Sequence, residues 1–159
     1  PSTSRPAGAD TTADAPVVDG PTGPMSSEVA EDTLANAFAG ESEMLMDPVE
    51  EVSVARSATG AYAETLALRL DEFEDMGWTQ MGTPTVTSLQ ILEEHLEEDP
   101  PRVIVLACID STNVQILDDR GNELRNAGTP ARSSNLYTLV QEQGVWSITN
   151  ATFPEDPDC

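Results

Sequence analysis

The sequence predicts an α+β fold, in which helices from the first half of the chain pack on a curved antiparallel sheet from the second half. Two observations support this prediction. Apolar residues recur at helical spacing up to about residue 76, and the pattern becomes extended from Trp78 onward. Clusters of Asp, Asn, Ser and Gly separate the extended runs, as in sheets with short connections. Three helices followed by about five strands are therefore expected.

The first two predicted helices each begin with a capping signal. Ser26 or Ser27 can cap the first, whose apolar positions Ala30, Leu34, Ala37 and Phe38 fall on one face. Asp47 can cap a short second helix that ends near Ser57, because proline follows at the first helical position and Glu50 lies three residues after the cap.

The third predicted helix is the clearest. It opens after Thr59 and ends at Gly77. Its apolar stripe consists of Tyr62, Leu66, Leu70 and Phe73.

The strand half contains five predicted strands, at residues 86–92, 102–109, 113–117, 132–140 and 145–152. The run 103–109 is apolar at both alternating positions, so we expect it at the centre of the sheet with both faces covered. The acidic segment 93–101, which contains His95, is predicted to be a loop.

Residues 1–25 are predicted to form a disordered arm, since Pro, Ser, Thr, Gly, Ala and Asp bury too little apolar surface to offset chain entropy. Residues 26–159 are then a single domain. The start at Pro1 is typical of a mature end with its signal peptide removed. Arms of this composition separate a lipid-anchored cysteine from its domain in bacterial lipoproteins, and an ordinary secreted protein is the alternative.

The chain carries 29 acidic residues against seven basic ones, which gives a formal net charge of -22. Such a surface disfavours nucleic acid, because binding to phosphates needs cationic side chains. No stretch approaches the roughly 20 apolar residues of a membrane span, so membrane contact is expected only through a lipid anchor. The sequence contains no motif for a cofactor or a metal, and none is predicted.

Two cysteines predict the compartment. Cys108 lies in the most apolar run, and Cys159 is the last residue of the sequence. The simplest interpretation is a disulfide that ties the C-terminal segment to a central strand. Because such bonds persist in oxidising compartments, an exported, extracytoplasmic protein is expected.

The segments 105–111, 114–121 and 144–148, together with Cys159, resemble a family of small exported actinobacterial proteins and lipoproteins with a nuclear transport factor 2-like fold. The segments 58–60 and 76–86 resemble it as well, so the similarity spans residues 27–159. It implies a cone-shaped domain in which Cys108 pairs with Cys159. Relatives of this fold often dimerise through a sheet face, so a homodimer is also an expectation.

Enzymes of the same fold place a carboxylate on a strand facing an apolar pocket, and Asp110 is the candidate here. An Asp that caps its own turn is the favoured alternative for this residue. Tyr62, Tyr137 and Trp78 could line such a pocket, although aromatic residues at these spacings more often belong to a core. His95 and the neighbouring glutamates match no metal-binding loop, and a solvated charge cluster is favoured.

Three hypotheses for function follow. We expect a non-enzymatic cell-envelope domain that binds an unidentified protein or small molecule. The first alternative is a small apolar ligand site, or an isomerase- or cyclase-like pocket, that uses Asp110 and Tyr137. The second is a calcium-responsive module built on the glutamates of segment 93–99, which a calcium-dependent melting shift would reveal.

Overall fold

The computed structural model describes residues 21–48, 58–125 and 130–159, and it has the α+β architecture expected from the sequence. The described helices are α1 (Ser27–Met46) and α2 (Gly60–Met76). The described strands are β1 (Thr79–Met81), β2 (Thr85–His95), β3 (Arg102–Asp110), β4 (Gln115–Leu117), β5 (Arg132–Glu142) and β6 (Val145–Thr152). In these parts of the chain, no helix is long and apolar enough to cross a bilayer.

The helix ends follow the capping signals. The Ser26 side chain accepts a hydrogen bond from the Val29 amide, which caps α1. Helix α2 begins after Thr59, and Gly77 ends it in the left-handed conformation. Helix α1 ends at Met46, with Asp47 as its C-terminal cap. The remainder of the predicted second helix, from residue 49 to 57, lies outside the described residues.

The strands form two sheets. A four-stranded antiparallel sheet has the order β2-β3-β5-β6, and β1 pairs with β4 in a separate two-stranded sheet. The predicted hairpin is present as β5 and β6, joined by the two residues Gln143 and Gly144. One prediction was wrong here: residues 93–95 belong to β2 rather than to a loop. Strand β1 was not among the predicted strands, although it lies where the sequence pattern becomes extended.

Helices cover one face of the larger sheet, which we call the inner face. Its core joins Leu34 and Phe38 of α1 to alternate residues of β3 and to side chains of β5 and β6; the sheet residues are Val103, Val105, Ala107, Ile109, Tyr137, Leu139, Trp146 and Ile148. Strand β3 lies inside the sheet, as predicted. Its other alternate residues, Ile104 and Leu106, are only half-buried, so the prediction that both faces are covered was too strong.

The opposite, outer face follows from the strand register. Since neighbouring side chains of a strand point to opposite faces, Ile104, Leu106 and Cys108 point away from the helices. Leu106 pairs with Leu136 of β5, and Cys108 pairs with Ser134. No described helix packs on this face.

Part of the predicted arm also contacts the sheet. The Trp146 amide donates to the Pro21 carbonyl, and the Trp146 indole N–H donates to the Gly23 carbonyl at 3.0 Å. A buried indole N–H needs an acceptor, and residues 21–23 supply it. Contacts with the domain therefore begin before residue 25.

Gly82 is held where no side chain fits. Its φ is +87°, and a Cβ there would lie 2.1 Å from the Asn113 carbonyl oxygen. Gly121 has a similar φ of +84° with nothing within 4 Å, so it is a matched control.

We expect Gly121→Ala to cost about 1–2 kcal/mol, from its backbone conformation alone. Gly82→Ala is expected to cost roughly 1–3 kcal/mol more, because the backbone must move to relieve the clash. Urea unfolding measures both values. Equal losses would contradict the close approach of Gly82 and Asn113.

Candidate functional site

The most unusual side-chain arrangement in the described residues is a polar cluster on the inner face, between the helices and β5. We call it the Glu41 cluster: Glu41 of α1, Tyr62 and Arg69 of α2, and Asn135 and Tyr137 of β5. Three elements distant in sequence meet here, around a carboxyl group in a residue that is only 8% exposed.

The position of Glu41 follows from helical periodicity. It lies three residues after Phe38 and four before Leu45, both of which are buried on the inner side of α1. On α2, Tyr62 and Arg69 lie seven residues apart and so share one face. A carboxylate in an apolar helix stripe is the sequence signal that could have identified Glu41.

Glu41 is engaged by both partners on α2. The Tyr62 hydroxyl donates a hydrogen bond to Glu41 Oε2, and an Arg69 guanidinium nitrogen lies 3.6 Å from Glu41 Oε1. Burial raises the pKa of Glu41, and it outweighs the opposing effects of the Tyr62 hydrogen bond and the Arg69 charge. Glu41 therefore holds its proton to a higher pH than an ordinary glutamate does.

The tyrosines of the cluster stay neutral over the physiological range. Burial raises the pKa of Tyr137 to about 12. Burial also raises the pKa of Tyr62, and the nearby charge of Glu41 adds to this effect. Both phenols can therefore act as hydrogen-bond donors or acceptors, not as bases.

Asn135 leaves one polar atom unused. Its Nδ2 donates to the Tyr137 hydroxyl at 3.3 Å, while its Oδ1 is buried without a hydrogen-bond partner in the described parts of the chain. Because an unpaired buried acceptor is costly, a ligand or a water that donates to this atom would bind favourably.

The Glu41 cluster predicts how the stability of the fold changes with pH. Because the pKa of Glu41 is raised in the fold, its contribution to stability is complete below the ordinary value of 4.5 and is lost as pH rises through the folded pKa. Glu41→Gln, which is neutral throughout, should remove this loss. Its melting temperature relative to the wild type should therefore increase between about pH 4 and about pH 8.

The expected gain is about 1.4 kcal/mol for each unit by which the folded pKa exceeds the unfolded one. Glu43→Gln is the matched control, since it removes the same charge from an exposed position on the same helix. Parallel pH profiles for the two variants would show that Glu41 does not carry the effect.

The structure brings together two of the four residues proposed for a pocket. Tyr62 and Tyr137 belong to the Glu41 cluster. Trp78 packs edge-on against Phe73, with ring centroids 5.8 Å apart, at the far end of α2 from Tyr62. Eleven residues separate Tyr62 from Phe73, which corresponds to about 16 Å along a helix.

Asp110 lies away from the cluster. Its Oδ1 accepts hydrogen bonds from the Thr112 amide and hydroxyl, and its Oδ2 lies 3.3 Å from Arg132 Nε. The Thr112 hydroxyl bond, more than any other contact, lowers the pKa of Asp110. This carboxylate caps its own turn, as the alternative interpretation held, and its lowered pKa keeps it ionised.

Cys108 and Cys159 form the predicted disulfide, with a sequence separation of 51 residues. Cys108 is 6% exposed, and Cys159 is an exposed residue. The bond joins the C-terminal segment to the outer face of β3.

His95 ends β2 in an acidic environment. Its Nε2 lies 3.0 Å from Glu93 Oε1, and its Nδ1 lies 3.4 Å from Glu98 Oε2. An open concavity of about 400 Å³ is lined by Glu94, His95, Leu96, Glu97 and Glu98. Nowhere in the described ranges do three or more metal-ligating side chains form a group that could hold a metal ion.

Comparisons with known proteins identify the fold but no family. No protein-family model matches this chain, and no curated protein does. Among solved structures, it is similar to the crystal structure of the intermembrane space region of chloroplast protein ARC6, with a TM-score of 0.54 and 13% identity. The match covers 82% of this chain and 97% of that one. At this identity the similarity shows a shared α+β fold alone.

Proposed function

We propose that this chain is a non-enzymatic binding domain exported to the cell envelope, where a lipid anchor is the expected means of attachment. We further propose that it adopts the nuclear transport factor 2-like cone of the small exported actinobacterial proteins it resembles. The proposed binding surface is the outer face of the four-stranded sheet.

One observation carries this proposal: aliphatic side chains at the centre of the outer face have no described helix over them. Ile104, Leu106 and Leu136 are half-buried there, while the opposite side of the same strands is packed against α1. Contiguous apolar positions on an uncovered sheet are typical of protein-interaction surfaces.

Neither the Glu41 cluster nor Asp110 gives much support to a catalytic function. Both oxygens of the Glu41 carboxyl are already engaged, by Tyr62 and by Arg69. Asp110 is similarly bound by Thr112 and Arg132. A general base needs a carboxylate within reach of a substrate proton, and neither group is free for that task.

The Cys108–Cys159 bond supports an oxidising location. The ARC6 region is described as belonging to an intermembrane space. We extend a placement outside the cytoplasm to this chain as part of the proposal.

The test is site-specific photo-crosslinking in the native host. A benzophenone amino acid at Leu136 is expected to yield an adduct of defined mass. The same group at Leu68, which is 70% exposed on α2, is the matched control and should yield none. An adduct of twice the chain mass would identify a homodimer. Equal labelling at both positions, or no adduct at Leu136, would contradict binding through the outer face.

A second candidate function is small-ligand binding at the Glu41 cluster, favoured by the unpaired Asn135 Oδ1 beside two neutral phenols. The ligand class would be an apolar molecule with one hydroxyl donor. The fluorescent bicyclic phenol 2-naphthol is a suitable probe. It should bind the wild type and bind at least about tenfold more weakly to Asn135→Ala, which lacks the acceptor. Equal affinity for both proteins would remove this candidate.

A further inference from the structure

The C-terminal segment, residues 153–159, is held to the larger sheet by few contacts. After β6 ends at Thr152, the Pro157 carbonyl accepts a hydrogen bond of 2.7 Å from the Ser134 amide of β5. The disulfide then joins Cys159 to Cys108 of β3. Within the described parts of the chain, this is the one backbone hydrogen bond from the segment to the sheet.

The segment itself buries little surface. All its residues are exposed except the half-buried Pro154, and Phe153 is 77% exposed. Burial of apolar surface is the main source of binding free energy between parts of a chain. The covalent bond is therefore what keeps the segment in place.

The disulfide attaches the segment to a row of the outer face beside the aliphatic strip, which consists of Ile104, Leu106 and Leu136. Cys108 and Ser134 are register partners, and they are 6% and 7% exposed. The next register pair on this face is Leu106 and Leu136.

The inner core does not depend on these contacts. Val103, Val105 and Leu139 are completely buried on the other face of the same strands, against residues of α1. Loss of the segment would leave this packing unchanged. Residues 153–159 can therefore leave the sheet while the inner core stays packed.

We propose that the Cys108–Cys159 bond is a thiol–disulfide exchange site for a dithiol reductant, and that its opening releases residues 153–159 from the outer face. Release uncovers the row of Cys108 and Ser134, which lies next to Leu106 and Leu136 on the same face. That a partner then binds this strip rests on the proposed function; the exchange and the release do not.

One dithiol molecule supplies all the electrons and protons that reduction of the Cys108–Cys159 bond requires. Its first thiolate attacks Sγ of Cys159, the exposed partner, and forms a mixed disulfide while Cys108 leaves as a thiolate and takes up a proton. The second thiol of the reductant displaces Cys159, which also leaves as a thiolate and is protonated. The reductant ends as a disulfide, and two electrons and two protons have passed to the two cysteines.

The experiment uses the full chain with dithiothreitol and no denaturant, and it combines thiol titration with hydrogen exchange. Both thiols should become titratable while the protein remains folded. The Ser134 amide, which loses its acceptor Pro157, should exchange at least about tenfold faster, as for a locally opened bond. Amides of α1 should remain protected, because the reduced protein is still folded.

The variant Cys159→Ser cannot form the disulfide, so it should release the segment without reductant. It is the matched comparison for the reduced wild type. Three results would overturn the proposal: thiols that react only in denaturant, unchanged exchange at Ser134 after reduction, or loss of protection throughout α1. These readouts do not involve a partner. A failed crosslink at Leu136 would therefore contradict the proposed function without affecting them.

Discussion

Replacing Trp146 with alanine is expected to lower the free energy of unfolding by roughly 3–5 kcal/mol, the usual cost of truncating a buried aromatic side chain. Trp146 is 1% exposed and is the largest fully buried side chain in the described residues. Its loss would leave a cavity between β6 and α1 that the surrounding backbone cannot fill completely.

The substitution also removes a structural hydrogen bond. The indole N–H of Trp146 donates to the Gly23 carbonyl and so fixes residues 21–23 beside β6. Trp146→Ala should therefore free this part of the chain as well as open the core. Hydrogen exchange at residues 21–25 would report the first effect separately from global stability.

Urea unfolding followed by far-UV circular dichroism measures the main effect. Trp78→Ala is the control, because Trp78 is half-buried and packs chiefly on Phe73. It should cost distinctly less than Trp146→Ala. Similar losses for the two variants would mean that Trp146 is not the central packing residue of the sheet.

Removing the disulfide is expected to cost about 4 kcal/mol in the chain-entropy model, because the bond closes a loop across a separation of 51 residues. The double variant Cys108→Ala/Cys159→Ala tests this without a free thiol. The effect acts mainly on the unfolded chain, which becomes less restricted. The dependence of stability on urea should therefore steepen, since more surface is exposed on unfolding.

The oxidised wild type is the reference, and the reduced wild type should match the double variant. A loss below about 1 kcal/mol would show that native strain offsets the entropic gain. Complete unfolding at 25 °C would show that the domain needs the bond in order to fold, and it would also contradict release of a detachable segment.

The sequence pattern predicted those features of the fold that depend on interactions between nearby residues. The end of α2 at Gly77 and the turn between β5 and β6 could both be predicted from the sequence, because caps and turns depend on residues within a few positions of each other. The two cysteines predicted their own bond. His95 was misplaced because the glutamates around it resemble a loop, whereas the register with β3 extends β2 through that residue.

The candidate site was only half predictable. Tyr62 and Tyr137 were proposed to line a common pocket, and they do meet, but around Glu41 rather than Asp110. Asp110 and Tyr137 lie on neighbouring strands, yet register places Tyr137 opposite Val105, five residues from Asp110 and on the other face of the sheet. Register is set by pairing between distant segments, which periodicity within one segment does not specify.

The sequence by itself determined the α+β class, the main strands, the acidic surface and the covalent link between Cys108 and Cys159, since these depend on composition and short-range pattern. Tertiary structure alone decided that the described helices cover one face of the sheet and not the other, and that Glu41 lies between α1, α2 and β5. Both outcomes depend on how separate elements pack. Packing is a property of the assembled surfaces, because each element buries its apolar side only against whichever partner the fold brings to it.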